Sequence, residues 1–140
     1  MTLNRNKIIL ILVILGVAIQ LVPIDRTNPP VTGELAAPPE LHGILRRACY
    51  DCHSNETVWP WYSRVAPVSW LVASDVYEGR EHLNFSIWNE YPDERRTKLR
   101  MEISKEVREG EMPPFQYVPA HPEAKLSEQD QGVIHAWAGG

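Results

Sequence analysis

The sequence predicts a small, all-α domain preceded by one N-terminal transmembrane helix. Three observations support this prediction: apolar residues recur at helical spacing in several segments, no segment alternates apolar and polar residues as a strand would, and one unbroken apolar run lies near the N-terminus. Twelve prolines and eight glycines among 140 residues indicate that loops connect the helices.

The N-terminal segment, residues 1–24, is predicted to be the membrane anchor. Its apolar run, Ile8 to Ile24, spans 17 residues, the short end of what crosses a bilayer as a helix. No small residues follow the run as a cleavage site would require, so an uncleaved anchor is favoured over a signal peptide. Arg5 and Lys7 predict a single-pass protein of the cytoplasmic (inner) membrane, with the rest on the periplasmic or other extracytoplasmic side.

Residues 25–38 read as a Pro-rich linker, and residues 39–140 as the folded domain. Within this domain, the clearest helix is predicted from Asp93 to Glu109, because Leu99, Ile103 and Val107 form one apolar stripe and Gly110 ends it. Further helices are predicted over residues 39–48, 69–77 and, after a capping box at Ser127–Asp130, towards the C-terminus.

The charge pattern argues against nucleic acid as a partner. The net charge is −4, and eleven basic and sixteen acidic residues from Pro39 onward give that region −5. No basic stripe is present to follow a phosphate backbone. An acidic surface is suited instead to steering a basic protein partner.

The chemistry-bearing motif is Cys49-Tyr-Asp-Cys52-His53, which contains both cysteines of the chain. This spacing is that of c-type haem attachment: two thiols on one turn reach the haem vinyl groups, and the adjacent imidazole reaches iron. A thiol–disulfide redox pair lacks its usual βαβ context here. A zinc site lacks a second pair of ligands. We therefore predict one covalent haem c, held by Cys49, Cys52 and the iron ligand His53.

The sixth iron ligand is predicted to be Met112. This residue lies in a short loop between Gly110 and two prolines, which restrict the backbone. A thioether ligand favours ferrous iron and so raises the reduction potential. His82 remains the main alternative, and Met101 falls roughly opposite the apolar stripe of its predicted helix.

Several blocks resemble the bacterial haem-binding domain proteins, relatives of cytochrome c. The blocks are Cys49-Tyr-Asp-Cys-His-Ser-Asn-Glu-Thr57, Trp59-Pro-Trp-Tyr-Ser63, Ala66-Pro-Val-Ser-Trp70, Leu83-Asn-Phe-Ser-Ile-Trp88 and Gly110-Glu-Met-Pro-Pro114. The resemblance covers roughly residues 39–140. It implies a cytochrome-c-like helical fold around covalent haem, with Cys49, Cys52 and His53 as attachment and proximal residues. By similarity to cytochromes c generally, Met112 matches the loop methionine at the sixth site.

These observations predict a membrane-anchored, mono-haem c-type cytochrome that transfers single electrons, with His53 and Met112 as axial ligands. The partners expected are redox proteins and, through the N-terminal helix, the membrane. A haem-based sensor or ligand-binding module with a labile sixth ligand is the alternative. Enzymatic activity is not expected, because no distal histidine–arginine pair suggests a peroxidase.

Overall fold

The computed structural model describes residues 4–139, and within this range the chain is helical, with no strand. The all-α prediction is therefore confirmed for these residues. Met1 to Leu3 and Gly140, which the predicted anchor and domain include, lie outside the described residues. Six α-helices follow one another, joined by loops and short 3₁₀ turns: α1 (Arg5–Ala18), α2 (Pro39–Ala48), α3 (Tyr50–His53), α4 (Val68–His82), α5 (Asp93–Glu109) and α6 (Glu128–Ala138).

The predicted transmembrane helix is wrong, and so is the single-pass membrane localisation that depended on it. The helix α1 contains only 14 residues, because a 3₁₀ turn at Ile19–Leu21 and extended backbone at Val22 end it. At 1.5 Å per residue this gives about 21 Å, short of a hydrocarbon core of about 30 Å. Nowhere in residues 4–139 is a helix both long and apolar enough to cross a membrane.

The chain divides into two compact units, and the first contains residues 4–27 and 59–75. Within this unit, the Gln20 side chain makes two hydrogen bonds to the backbone of Ala66, donating to its carbonyl at 3.1 Å and accepting from its amide at 3.0 Å. Arg26 donates to the carbonyl of Ser63 at 3.2 Å. Polar side chains thus tie the segment after α1 to the loop before α4.

The second unit, residues 28–58 and 76–139, contains the main hydrophobic core. Helix α6 packs against α2 and α5. The aromatic centre of the core is Phe85, stacked on Tyr50 at 5.3 Å and on Trp88 at 6.0 Å between ring centroids. The buried aliphatic residues around it come from all three helices and from their connections: Leu35, Leu41, Ile44, Leu45, Leu83, Leu99, Val107 and Ile134.

The ends of the principal helices follow their sequence signals. Helix α5 ends at Gly110, which adopts the left-handed conformation (φ 75°) that favours glycine. Helix α6 begins with the predicted capping box between Ser127 and Asp130. Helix α4 differs from its prediction, because it continues five residues beyond Tyr77 to His82. On α6, His135 is partly buried, and its Nδ1 lies 2.7 Å from the Ser104 hydroxyl.

The segment predicted as a linker is extended but is not solvent-exposed throughout. Leu35 is buried, and its amide donates to the Phe85 carbonyl at 2.9 Å. The amides of Thr32 and Gly33 donate to the Ser86 carbonyl. The boundaries at Ile24 and Pro38 stay predictions.

Candidate functional site

Both cysteines and His53 project from a single turn of backbone. Helix α2 stops at Ala48 because Cys49 leaves helical geometry (φ −129°), and α3 then forms one new turn. The amides of Cys52 and His53 both donate to the Cys49 carbonyl, at 3.2 and 2.9 Å. The two cysteines are thiols, both partly buried. Burial, and then the neighbouring Cys52, raise the pKa of the Cys49 thiol to about 12, so it is protonated at neutral pH.

The imidazole of His53 is held in one tautomer by the C-terminal part of α4. Its Nδ1 lies 2.9 Å from the Gly79 carbonyl oxygen and 3.2 Å from that of Leu83. Both partners only accept, so Nδ1 carries the proton and Nε2 keeps its lone pair. Burial lowers the pKa of His53 below its usual value, which keeps the ring neutral at neutral pH.

Gly79 brings α4 into direct contact with the cysteine-bearing turn. A Cβ at this position would lie 2.6 Å from the Cys52 carbonyl oxygen and 3.1 Å from its carbonyl carbon. Only a residue without a side chain therefore allows the Gly79 carbonyl to come within hydrogen-bonding distance of His53. Gly79 was not predicted as a site residue, although an isolated glycine inside a helix is a signal of close packing.

Arg80 holds the segment that follows the motif, residues 54–57, in place. Its Nε donates to the Ser54 carbonyl at 2.7 Å, and its Nη2 donates to the Thr57 hydroxyl at 2.8 Å. The Thr57 hydroxyl in turn donates to the Asp51 carbonyl at 2.7 Å. A charged side chain thus connects α4 to both ends of the segment that follows the motif.

Asn55 forms a second buried connection, to the segment after α4. Its Oδ1 accepts from the Asn84 side chain at 2.7 Å, and its backbone amide donates to the Ser86 hydroxyl at 2.9 Å. The Asn84 Oδ1 accepts from the Ser86 amide at 2.9 Å. Because buried polar groups are costly when unpaired, this reciprocal pairing specifies one position for the motif.

Met112 lies in the loop after α5, outside the motif turn. Its amide donates to the Glu106 carbonyl at 3.2 Å, and the residue is 38% exposed. Further along this loop, Tyr117 donates its hydroxyl to the Asp51 carboxylate at 2.7 Å, which connects the loop to the motif. His82, by contrast, ends α4, with its side chain 67% exposed and 3.4 Å from a carboxylate oxygen of Glu102.

The donor set fits haem iron. Neutral imidazole is a good iron ligand, and a backbone carbonyl on its other nitrogen is the usual arrangement for a metal-binding histidine. The turn also presents two thiols at the spacing that c-type haem attachment requires. No group of three or more His, Cys, Asp or Glu side chains able to hold a bare metal ion occurs in the described part of the chain.

A helical domain with a carbonyl-oriented, neutral histidine beside two thiols defines a haem-binding class of protein. Comparison with protein families agrees: the model of the family described as "Haem-binding domain" matches residues 14–139. The chain belongs to this haem-binding domain family, and haem is supported as its cofactor. Comparisons with curated proteins and with solved structures found no match.

Proposed function

We propose that the chain is a mono-haem c-type cytochrome that carries single electrons between partner proteins. Haem, when bound, supplies reversible one-electron exchange at its iron. Cys49 and Cys52 would hold it covalently through thioether bonds, His53 would bind iron through Nε2, and Met112 would occupy the sixth position.

The orientation of His53 is the observation that carries this proposal. Two backbone carbonyls, of Gly79 and Leu83, hold Nδ1 and leave Nε2 as the ligating nitrogen. The same turn of backbone carries both thiols. A thiol–disulfide enzyme would have no need for a neutral imidazole fixed in this way, whereas an iron site does.

The choice of Met112 over His82 rests on where His82 lies relative to the His53 ring. His82 belongs to the helical segment that contacts Nδ1, between the two carbonyls that hold it. A sixth ligand must approach from the Nε2 side instead. The loop that carries Met112 does not belong to this segment, and it is connected to the motif through the hydrogen bond that Tyr117 donates to Asp51.

The test of covalent attachment is a denaturing gel stained for haem. The chain is produced together with the cytochrome c maturation machinery, beside a Cys49→Ala/Cys52→Ala variant. We expect the unaltered chain to stain and the variant to lose the stain. A colourless protein with both thiols still reactive towards a thiol reagent would contradict the proposal.

The test of the sixth ligand compares two methionines. Met112→Ala is expected to abolish the ferric methionine–iron charge-transfer band and to lower the reduction potential, because a thioether stabilises ferrous iron. Met101→Ala is the matched control, since that side chain is 57% exposed on α5. An unchanged band in Met112→Ala would show that another residue binds iron.

The exposure of Met112 also favours a second candidate function. A ligand residue that is 38% exposed has fewer packing contacts to hold it than a buried one. If it dissociates readily, the domain would be a haem-based sensor or ligand-binding module. Rapid binding of carbon monoxide to the reduced protein at neutral pH would support this function, and an inert spectrum would support the carrier.

An occupied sixth position leaves no open coordination site for a substrate, so the proposal makes the chain a carrier rather than an enzyme. Its partners would be redox proteins. The acidic balance of the chain favours partners with a basic docking surface, because opposite charges accelerate encounter.

A further inference from the structure

Asp51 stands between the two cysteines of the motif, and both of its carboxylate oxygens are used. Oδ1 accepts from the Val58 amide at 2.9 Å, and Oδ2 accepts from the Tyr117 hydroxyl at 2.7 Å. The first bond fixes the carboxylate relative to its own turn. The second reaches a residue that is far along the chain, in the loop that carries Met112.

The Met112 loop is held at both ends. At its start, the amide of Met112 donates to the Glu106 carbonyl of α5. Towards its end, the Tyr117 amide donates to the Pro114 carbonyl at 2.9 Å, and the Tyr117 ring stacks on His121 with centroids 4.1 Å apart. Contacts within its own segment therefore position Tyr117, in addition to the hydrogen bond that its hydroxyl donates to Asp51.

We propose that the hydrogen bond from Tyr117 to Asp51 is a clamp that holds the Met112 loop closed over the haem site. The clamp rests on the proposed function, since it acts on Met112 as the sixth ligand. Tyr117 and Asp51 are positioning residues in this proposal: Asp51 is fixed to the attachment turn, and Tyr117 transmits that position to the loop.

Two apolar residues of the Met112 loop are exposed. Phe115, between the two prolines and Tyr117, is 85% exposed, and Met112 is 38% exposed. Apolar burial therefore contributes little at these two positions. The hydrogen bond from the Tyr117 hydroxyl to the Asp51 carboxylate is therefore a contact whose loss should raise the fraction of time that the loop is open.

The test measures how easily an added ligand replaces Met112. Imidazole can bind ferric iron only when the loop is open, so its apparent affinity scales with the open fraction. Tyr117→Phe removes the hydroxyl and keeps the ring on His121. We expect the affinity for imidazole to rise about tenfold, which corresponds to about 1.4 kcal/mol. Tyr77→Phe is the matched control, because Tyr77 is 71% exposed on α4, and it should leave the affinity unchanged.

A double-mutant comparison separates the clamp from a general loss of structure. In an Asp51→Ala background, Tyr117→Phe should add no further increase in affinity, because the shared bond is already lost. Asp51→Asn keeps the side-chain shape and can still pair with the hydroxyl, with its amide NH2 as the donor, so it should raise the affinity less than Asp51→Ala does. Additive effects of the two single changes would overturn the clamp.

Met112→Ala distinguishes the failure of the clamp from the failure of the proposed function. If Met112→Ala raises the affinity for imidazole and Tyr117→Phe does not, Met112 is the ligand and the clamp is wrong. If Met112→Ala itself behaves as the unaltered protein does, Met112 is not the ligand, and both the ligand assignment and the clamp are overturned.

Discussion

Gly79 is the residue on which the orientation of His53 depends. Its carbonyl accepts from His53 Nδ1, and the missing side chain allows the cysteine-bearing turn to lie against α4. An alanine there would place a carbon atom 2.6 Å from the Cys52 carbonyl oxygen. Either the helix or the turn must then move, and the hydrogen bond to His53 lengthens.

Gly79→Ala is therefore expected to destabilise the protein by about 1–3 kcal/mol, the usual cost of overpacking. The sign of this change in stability is informative, because a glycine-to-alanine substitution inside an unobstructed helix stabilises the protein by up to about 1 kcal/mol. Gly43→Ala on α2 is the matched control, since a Cβ at Gly43 has no neighbour within 4 Å. Chemical denaturation of both variants gives the free energies of unfolding. Equal effects at the two positions would contradict the close approach at Gly79.

At the scale of single residues, the sequence could reveal the chemistry of the site but not the groups that orient it. The spacing of Cys49, Cys52 and His53 is local, so the motif can be read directly. The partners of His53 are the backbone carbonyls of Gly79 in α4 and of Leu83 just after it, and because every residue has a carbonyl, only the missing side chain of Gly79 is a signal in the sequence. The polar contacts of Arg80 also depend on which segments the fold brings together.

At the scale of elements, the bounds of α2 and α5 could be predicted to the residue because local chemistry sets them. Pro39 starts α2, Gly110 ends α5, and Ser127 caps α6. The end of α4 could not be predicted in this way, because contacts with the motif turn stabilise its last residues. The apolar run near the N-terminus was misjudged for another reason: hydropathy records composition but does not show where a helix ends.

Helix α6 is also joined to α2 through its own cap. The Asp130 carboxylate accepts from the Ser127 amide at 2.8 Å and from the Ser127 hydroxyl at 2.7 Å, and it pairs with Arg47 at 2.6 Å. The Ser127 hydrogen bonds, followed by the charge of Arg47, lower the pKa of Asp130 below its usual value of 3.8. A carboxylate with a lowered pKa in the folded state stabilises the fold above the unfolded pKa, and this contribution is lost as the pH falls through the folded value.

Asp130→Asn keeps an oxygen that can accept from Ser127 but removes the charge that pairs with Arg47, so we expect it to lower the free energy of unfolding by about 1 kcal/mol at pH 7. The difference should shrink as the pH falls below 3.8, where protonation of Asp130 removes the same charge. Thermal unfolding measured from pH 7 to about pH 2 tests this. Asp93→Asn, an exposed first-turn carboxylate on α5, is the control and should change stability by less than about 0.5 kcal/mol. A difference for Asp130→Asn that stays constant with pH would show that the carboxylate charge does not contribute.

At the scale of the whole molecule, the charge of the chain sets its long-range behaviour. The net charge is −4. Ion pairs on the surface, such as that of Glu109 with Lys105, do not change this net charge. Such pairs matter at short range, whereas a partner about 10 Å or more away responds to the summed charge. For the proposed electron carrier, we therefore expect encounter with a cationic donor or acceptor to be faster at low salt than at high salt.

The negative net charge predicts that the rates of electron exchange with two small redox reagents depend on salt in opposite ways. Electron exchange with a cationic ruthenium hexaammine complex should slow about tenfold when the salt concentration rises from about 0.01 to about 0.5 M, as the screening length falls from about 30 Å to a few ångströms. Exchange with anionic ferricyanide should become faster over the same range, because screening removes repulsion. Stopped-flow mixing of the haem-loaded protein with each reagent measures both rates. The sign follows from charge alone, so two reagents with the same salt dependence would mean that the electron leaves through a surface whose local charge opposes the net charge.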